Sequence, residues 1–265
     1  MVRQDFHIHS SFSDGDSTPE QIVQQAIAQG LERIGFSDHV HAKYDPDCSM
    51  KREDIPLYHK TIRALREKYA GQIDIFCGIE QDFYADDPPV GYDYVIGSVH
   101  TLMLGGKYYD VDYRVESMYQ AAQEQFGGDM YGVVEAYYDT VSRVCEQTGC
   151  DVIGHFDLVA KLNDRYHLFD ENHPRYIAAW QKAADILLKT GKVFEINTGG
   201  IYGGYRTQPY PTCEIMQYLA RHGAEFILSS DSHYRAALGF DFDKWEQTAK
   251  RLHIPLTVLT NEVIR

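Results

Sequence analysis

Near one end the chain reads Asp5-Phe6-His7-Ile8-His9, and near the other Ser230-Asp231-Ser232-His233. Imidazole and carboxylate are the ligands of borderline and hard divalent ions, and in an extended strand the period of two turns His7 and His9 to the same side, where both can grip one ion. Residues of the same types recur between them. His39 closes Ser37-Asp38-His39, Glu80 closes Cys77-Gly78-Ile79-Glu80, His100 closes Gly97-Ser98-Val99-His100 and His155 closes Ile153-Gly154-His155. Asp14 joins from Ser13-Asp14-Gly15-Asp16, a stretch that is also good turn chemistry and leaves Asp16 as the alternative ligand. A lone strand histidine usually has its ring nitrogens satisfied locally, and a lone buried glutamate is usually paired. Taken together, His7, His9, Asp14, His39, Glu80, His100, His155, Asp231 and His233 exceed the needs of one ion, so two or three are expected.

These residues share a position. Short β-branched or aromatic runs occur at Gln4–His9, Arg33–Phe36, Asp74–Ile79, Tyr94–Val99, Asp151–Gly154, Lys192–Ile196 and Glu225–Ser229, each of strand length. The candidate ligands fall at or just beyond the carboxyl ends of six of them. Helical spacing fills Ile55–Tyr69, Tyr131–Gln147, Tyr176–Lys189 and Thr212–Arg221, and Thr18-Pro19-Glu20 ahead of an apolar stripe ending at Gly30 is a capped helix start and stop. Strand and helix alternate, which builds a parallel sheet with helices outside. Seven such units predict a single α/β domain over 1–265, a closed or nearly closed barrel, with an open doubly wound sheet as runner-up. Barrel enzymes carry their chemistry on the carboxyl face of the strands, so the ligands can converge there. His41–Arg52 and Asn163–Pro174 read as long polar loops on that rim.

Composition narrows the chemistry. A formal charge of −14 is the wrong sign for a surface that attracts nucleic acid, and favours a small-molecule partner. No stretch approaches the roughly 20 apolar residues that span a bilayer, and the N-terminal residues do not form an export signal. The five cysteines (Cys48, Cys77, Cys145, Cys150 and Cys213) form no Cys-x-x-Cys pair and read as reduced, incidental thiols, which predicts a soluble cytoplasmic protein. A structural zinc site, rich in cysteine, is disfavoured, and a non-catalytic metal-binding module would be expected to have lost ligands.

At His7-x-His9 with Ser-Asp14-Gly, Ser-Asp38-His39, the Glu80 and His100 strand ends, and Gly-His155-Phe-Asp157 followed by Ser-Asp231-Ser-His233, the sequence resembles the PHP (polymerase and histidinol phosphatase) family. The likeness runs essentially end to end and is greatest to the histidinol-phosphate phosphatase branch. It implies a distorted seven-stranded (β/α)7 TIM-like barrel and three divalent ions, zinc, manganese or iron. His7, His9, Glu80 and Asp231 would hold the first, Glu80 would bridge to a second held by His100 and His155, and Asp14, His39 and His233 would hold the third. Some relatives have His where Asp14 aligns, which would alter the third site. The implied reaction is hydrolysis of L-histidinol phosphate in histidine biosynthesis; the alternative is another small phosphate ester or a nucleotide.

Clustered cations suit a phosphate monoester, because they neutralise its oxygens and generate a nucleophile from water near neutral pH. Asp157 or His233 could protonate the leaving alcohol. Arg165 and Arg206, both in loops on the expected rim, are the candidates for the remaining phosphate oxygens, with Lys161 behind them. Asp16 or Asp45, with Tyr44, Tyr202 and Tyr205, could receive an amine and an imidazole, although 20 tyrosines make such a grouping easy to find by chance.

Overall fold

The structure is a computed structural model that describes residues 3–259. In chain order its strands are β1 (Gln4–Asp5), β2 (Arg33–Phe36), β3 (Asp74–Asp82), β4 (Tyr94–Ser98), β5 (Thr101–Leu104), β6 (Lys107–Asp110), β7 (Val152–Ile153), β8 (Val193–Asn197) and β9 (Phe226–Ser229). Seven of them form one parallel sheet in the order β1-β2-β3-β4-β7-β8-β9. A parallel bridge between Ile8 and Ser232 joins the two edges, with His9 N donating to Ser232 O at 2.9 Å and Ser232 N to His7 O at 3.0 Å. The sheet therefore closes into the distorted (β/α)7 barrel, and the open-sheet alternative is excluded. β1 is short: its ladder with β2 ends at Asp5, and the next bridge, at Ile8 between the two histidines, is to Ser232 across the seam.

Local chemistry places the helices. Before α1 (Pro19–Gln29), Thr18 and Gln21 make a reciprocal capping box, Pro19 occupies the first turn, and Gly30 ends the helix at φ 76°. Helices α2 (Ile55–Lys68), α3 (Val115–Phe126), α4 (Met130–Val141), α5 (Val144–Thr148), α6 (Asn163–Tyr166), α7 (Pro174–Leu187), α8 (Gly199–Tyr202), α9 (Cys213–Arg221) and α10 (Phe242–Arg251) follow. The single helix expected over Tyr131–Gln147 is broken between α4 and α5. There Ser142 Oγ bonds back to the Asp139 carbonyl at 2.7 Å, an alternative to continuing the helical ladder. The loop expected over Asn163–Pro174 contains α6, and Pro174 opens α7. The β5–β6 hairpin and helices α3 and α10 lie outside the segments read from the sequence.

Phe6, Tyr94, Ile96, Val152, Val193 and Ile227 fill the barrel below the carboxyl face. The Tyr94 hydroxyl donates to the Phe6 and Phe36 carbonyls at 2.6 and 3.0 Å. A β-carbon on Gly35 would lie 2.4 Å from this hydroxyl and one on Gly78 2.2 Å from the ring, so both strands need glycine there. A larger apolar layer lies between sheet and helices, including Ile215, Met216 and Leu219 of α9. The hydrophobic effect thus fixes the barrel from inside and outside, leaving its upper end to polar side chains. No helix among the described residues is long and apolar enough to cross a membrane.

Candidate metal centre

The carboxyl face gathers every ligand candidate. His7 and His9 flank the bridge beyond β1, His39 follows β2 and is itself bridged to Glu80, His100 follows β4, His155 follows β7, and Asp231 and His233 follow β9. Glu80 lies within β3, which runs to Asp82 rather than stopping at Ile79. Asp14 comes from the loop after β1, held by Gly15, where a β-carbon would lie 2.4 Å from the His9 carbonyl oxygen.

The spacing fits metal ligation. Ligands about 2.0–2.2 Å from one ion, spread tetrahedrally or octahedrally, lie about 3–3.5 Å from each other. The His7 and His9 Nε2 atoms lie 3.4 and 3.5 Å from Glu80 Oε2, and 3.5 and 3.2 Å from Asp231 Oδ1. On the other oxygen, Glu80 Oε1 lies 3.4 Å from His100 Nε2 and 2.9 Å from His155 Nε2. Asp14 faces His9, His39 and His233, with Oδ2 at 3.3 Å from His233 Nε2. Burial gives a second test. His7 Nε2, both ring nitrogens of His9, Glu80 Oε2 and His155 Nδ1 are buried and make no hydrogen bond. A native interior rarely leaves so many polar atoms unpaired, and divalent ions would satisfy them. The donor set therefore fits bound divalent metal.

The charge balance agrees. Burial opposes ionisation of Glu80, but the fields of His39, His7 and His100 prevail and hold it well below the ordinary carboxylate range. Burial likewise opposes ionisation of Asp231, and the fields of His7, His233 and His9 reverse it and hold it well below its ordinary value. Asp231 adopts φ 50°, a backbone state costly for a non-glycine residue and typical of functional positions. Gly199 makes room for it, since a β-carbon there would lie 2.8 Å from Asp231 Cβ.

A supporting layer holds the ligands. His7 Nδ1 lies 2.9 Å from Glu195 Oε2, so donation to that carboxylate leaves Nε2 free to face the ion. The same carboxylate accepts from Ser229 Oγ, the His155 backbone N–H and Asn197 Nδ2, and Asn197 also donates to Asp231. His100 Nδ1 meets Asp82 Oδ2 at 3.1 Å, and Asp82 accepts from the Tyr44 hydroxyl. Glu195, Asn197 and Asp82 are missing from the residues read from the sequence, yet Glu195 carries a signal: a charge inside the apolar run Val193-Phe194-Glu195-Ile196.

The substrate-facing candidates fare differently. Asp16 accepts from Ser17 Oγ at 2.7 Å and the Arg235 backbone at 3.3 Å, so Asp14 is the carboxylate brought to the histidines. Asp157 is fully buried and accepts from the Thr212 backbone; burial pushes its carboxyl up to about 7 against the Arg206 field. His233 is the more open of the two acid candidates, its side chain 30% exposed. Arg206 corrects the expectation of a free phosphate donor. It is buried and bound to Asp164, Glu171 and the Ala160 carbonyl, so its charge and most of its donors are already used within the protein. Arg165 is exposed on α6 with its guanidinium over the Tyr166 ring. The cation in the field of the cluster is Lys161, whose Nζ lies 2.9 Å from Asp112 and 5.2 Å from the Tyr205 ring centre. Burial opposes its charge, while the fields of Asp112 and Asp231 prevail and raise its pKa.

The PHP domain model matches residues 5–199, which span β1 to β8 and most of this geometry. This chain belongs to the PHP family. Among its PHP relatives, the "Probable histidinol-phosphatase" of Deinococcus radiodurans is 30% identical over 90% of this chain and 89% of its own length. The histidinol-phosphatase of Bacillus subtilis is 24% identical over 92% of this chain and 98% of its own. The fold is shared with the Lactococcus lactis histidinol phosphate phosphatase, crystallised with zinc, L-histidinol and phosphate, at a TM-score of 0.71 and 23% identity over 100% of this chain and 99% of that one.

Proposed function

We propose that this protein hydrolyses L-histidinol phosphate to L-histidinol and phosphate, as a metal-dependent phosphoric monoester hydrolase of histidine biosynthesis in the cytoplasm. The observation that carries the chemistry is Glu80, whose two oxygens face two separate groups of imidazoles at ligand spacing. The names of the PHP relatives and the molecules in the Lactococcus lactis crystal support the substrate. The five free thiols support the compartment.

His7, His9, Glu80 and Asp231 would hold one ion, Glu80 with His100 and His155 a second, and Asp14, His39 and His233 a third, drawn from zinc, manganese or iron. Such ions supply Lewis acidity and positive charge to a phosphate ester and its attacking water. Glu195 and Asp82 hold the His7 and His100 rings with Nε2 inward. Lys161 offers an ammonium to a phosphoryl oxygen, next to Tyr205, where the sequence suggested Arg165 and Arg206. Asp157 is enclosed behind Thr212 and Arg206, and His233 would spend Nε2 on the third ion and Nδ1 on the Asp231 carbonyl, so water entering the open site is the better source of a proton for the leaving alkoxide. The whole site is carried by one barrel domain over 1–265.

The test is a panel of phosphate monoesters assayed with protein of known metal content. The expected result is about three metal ions per chain and a kcat/KM for L-histidinol phosphate about 100-fold above generic monoesters, the scale a few recognised polar groups supply. Equal kcat/KM across the panel would overturn the substrate, and full turnover of metal-stripped protein would overturn the chemistry.

A further inference from the structure

All five cysteines are free, but they are not alike. Helix α5 ends at Gly149, whose φ of 67° reverses the chain and brings Cys150 back toward the helix. The Cys150 Sγ then lies 3.5 Å from the Cys145 Sγ and donates to it. Cys150 is fully buried, whereas Cys145 is part-exposed, 3.9 Å from Thr190 Oγ1. A β-carbon on Gly97 of β4 would lie 2.8 Å from the Cys150 Sγ, so the buried sulfur fills a slot that glycine leaves open. The pair sits at the amino end of β7, and His155 of the metal centre at its carboxyl end.

The thiol acidities separate along the same line. The hydrogen bond from Cys150 holds the Cys145 thiol below its ordinary value against burial, aided by Thr190 and the charge of Lys192. Burial pushes Cys48 and Cys77 up to about 12, and raises Cys213 as well. A part-exposed thiol 3.5 Å from a buried second sulfur is the arrangement of an attacking and a resolving cysteine.

We propose that Cys145 and Cys150 form a thiol–disulfide exchange site that takes a low-molecular-weight disulfide as oxidant and closes to an intrachain disulfide. The Cys145 thiolate attacks one sulfur of RS–SR, forming Cys145–S–S–R and releasing RS⁻, which takes a proton from solvent. Cys150 then loses its proton and attacks the Cys145 sulfur; the mixed disulfide breaks and a second RS⁻ leaves. Two protein thiols are oxidised by two electrons and one small disulfide is reduced to two thiols. Closing from the present separation to about 2.05 Å requires a shift of about 1.5 Å, within reach of a side chain at the end of a short helix.

The test treats the folded, reduced protein with an aromatic disulfide, 5,5′-dithiobis(2-nitrobenzoate), and in parallel with oxidised glutathione, followed by peptide mass mapping. The wild type should lose two hydrogens from the peptide holding both cysteines, retain no adduct there, and react about tenfold faster at Cys145 than at Cys48 or Cys213. Cys150→Ser should keep the adduct on Cys145, and Cys145→Ser should leave Cys150 unmodified. A stable adduct on wild-type Cys145 with Cys150 still a thiol would overturn the proposal, as would Cys145 reacting no faster than the others. If Cys150→Ser does not fold, the wild-type map and rates decide alone.

Discussion

Replacing Glu195 by glutamine changes one oxygen to an amide nitrogen and leaves the shape of the side chain intact. The native carboxylate faces four donors: His7 Nδ1 and Ser229 Oγ on one oxygen, the His155 N–H and Asn197 Nδ2 on the other. A glutamine amide must turn its NH₂ toward one of those pairs, setting donor against donor in a buried site, at a cost of about 1–3 kcal/mol for each lost bond. If His7 loses its partner, its ring is free to take the other tautomer or to rotate, and Nε2 is no longer held inward. If the other pair loses, His155 and, through Asn197, Asp231 are disturbed instead. Either outcome weakens metal binding, and removal of such a supporting partner typically costs about 10–100-fold in affinity, equivalent to about 1.4–2.8 kcal/mol. The assay is competition for metal between the protein and a chelator of known affinity, with turnover followed across metal concentration. Glu195→Gln should need about 10–100-fold more free metal for half-maximal loading and recover most of its turnover when loaded. A loading curve superimposable on wild type would refute the reasoning, because then neither the charge nor the tautomer control of Glu195 reaches the ions.

Lys161→Ala removes a charge-assisted contact worth about 1.5–3 kcal/mol, so kcat/KM for the phosphate ester should fall about 10–150-fold, with metal content unchanged by elemental analysis. Arg206→Ala should instead cost about 2–3 kcal/mol in denaturant unfolding, somewhat less than a fully buried pair because Asp164 and Glu171 are 30% and 26% exposed, while KM stays near wild type. Metal loading should release protons in a pH-dependent way. Against burial, Glu80 and Asp14 raise His39 to about 10, and Glu80 and Asp82 raise His100 to about 9. Burial opposes the charge of His7 too, but the fields of Asp231, Glu195 and Glu80 raise it well above its ordinary value. All three rings are therefore charged in the metal-free protein at pH 8, and loading there should release about three protons, fewer as pH rises through 9 and 10, by titration in buffers of differing ionisation enthalpy. Because the His39 and His100 values are raised above the ordinary 6.5, their contribution to the stability of the metal-free fold is complete below that pH and fades as pH rises through 9 to 10, the range in which metal affinity should climb.

What the sequence could disclose was whatever repeats along the chain. Six of the seven barrel strands carry an imidazole or carboxylate at or near their carboxyl ends, so counting strands located His7, His39, Glu80, His100, His155 and Asp231 without any knowledge of which strands touch. The β5–β6 hairpin went unread although Leu104-Gly105-Gly106-Lys107 has the two glycines that a tight turn with positive φ demands; so did α10, although its Phe242, Trp245 and Ala249 fall on one helical face. Partnership between distant residues is another matter. His7 and Glu195 are 188 positions apart, and Arg206 meets Glu171 across 35. A single sequence shows the charge of each but not which opposite charge has already claimed it. That is why Arg206 looked available for phosphate: an arginine in a loop and an arginine locked between two carboxylates are the same letters. Closure of the barrel decides between them. The Ile8–Ser232 bridge brings the chain's two ends together, so that Glu195 stands beneath His7, and the supporting layer is a consequence of closure that no periodicity along the strands records.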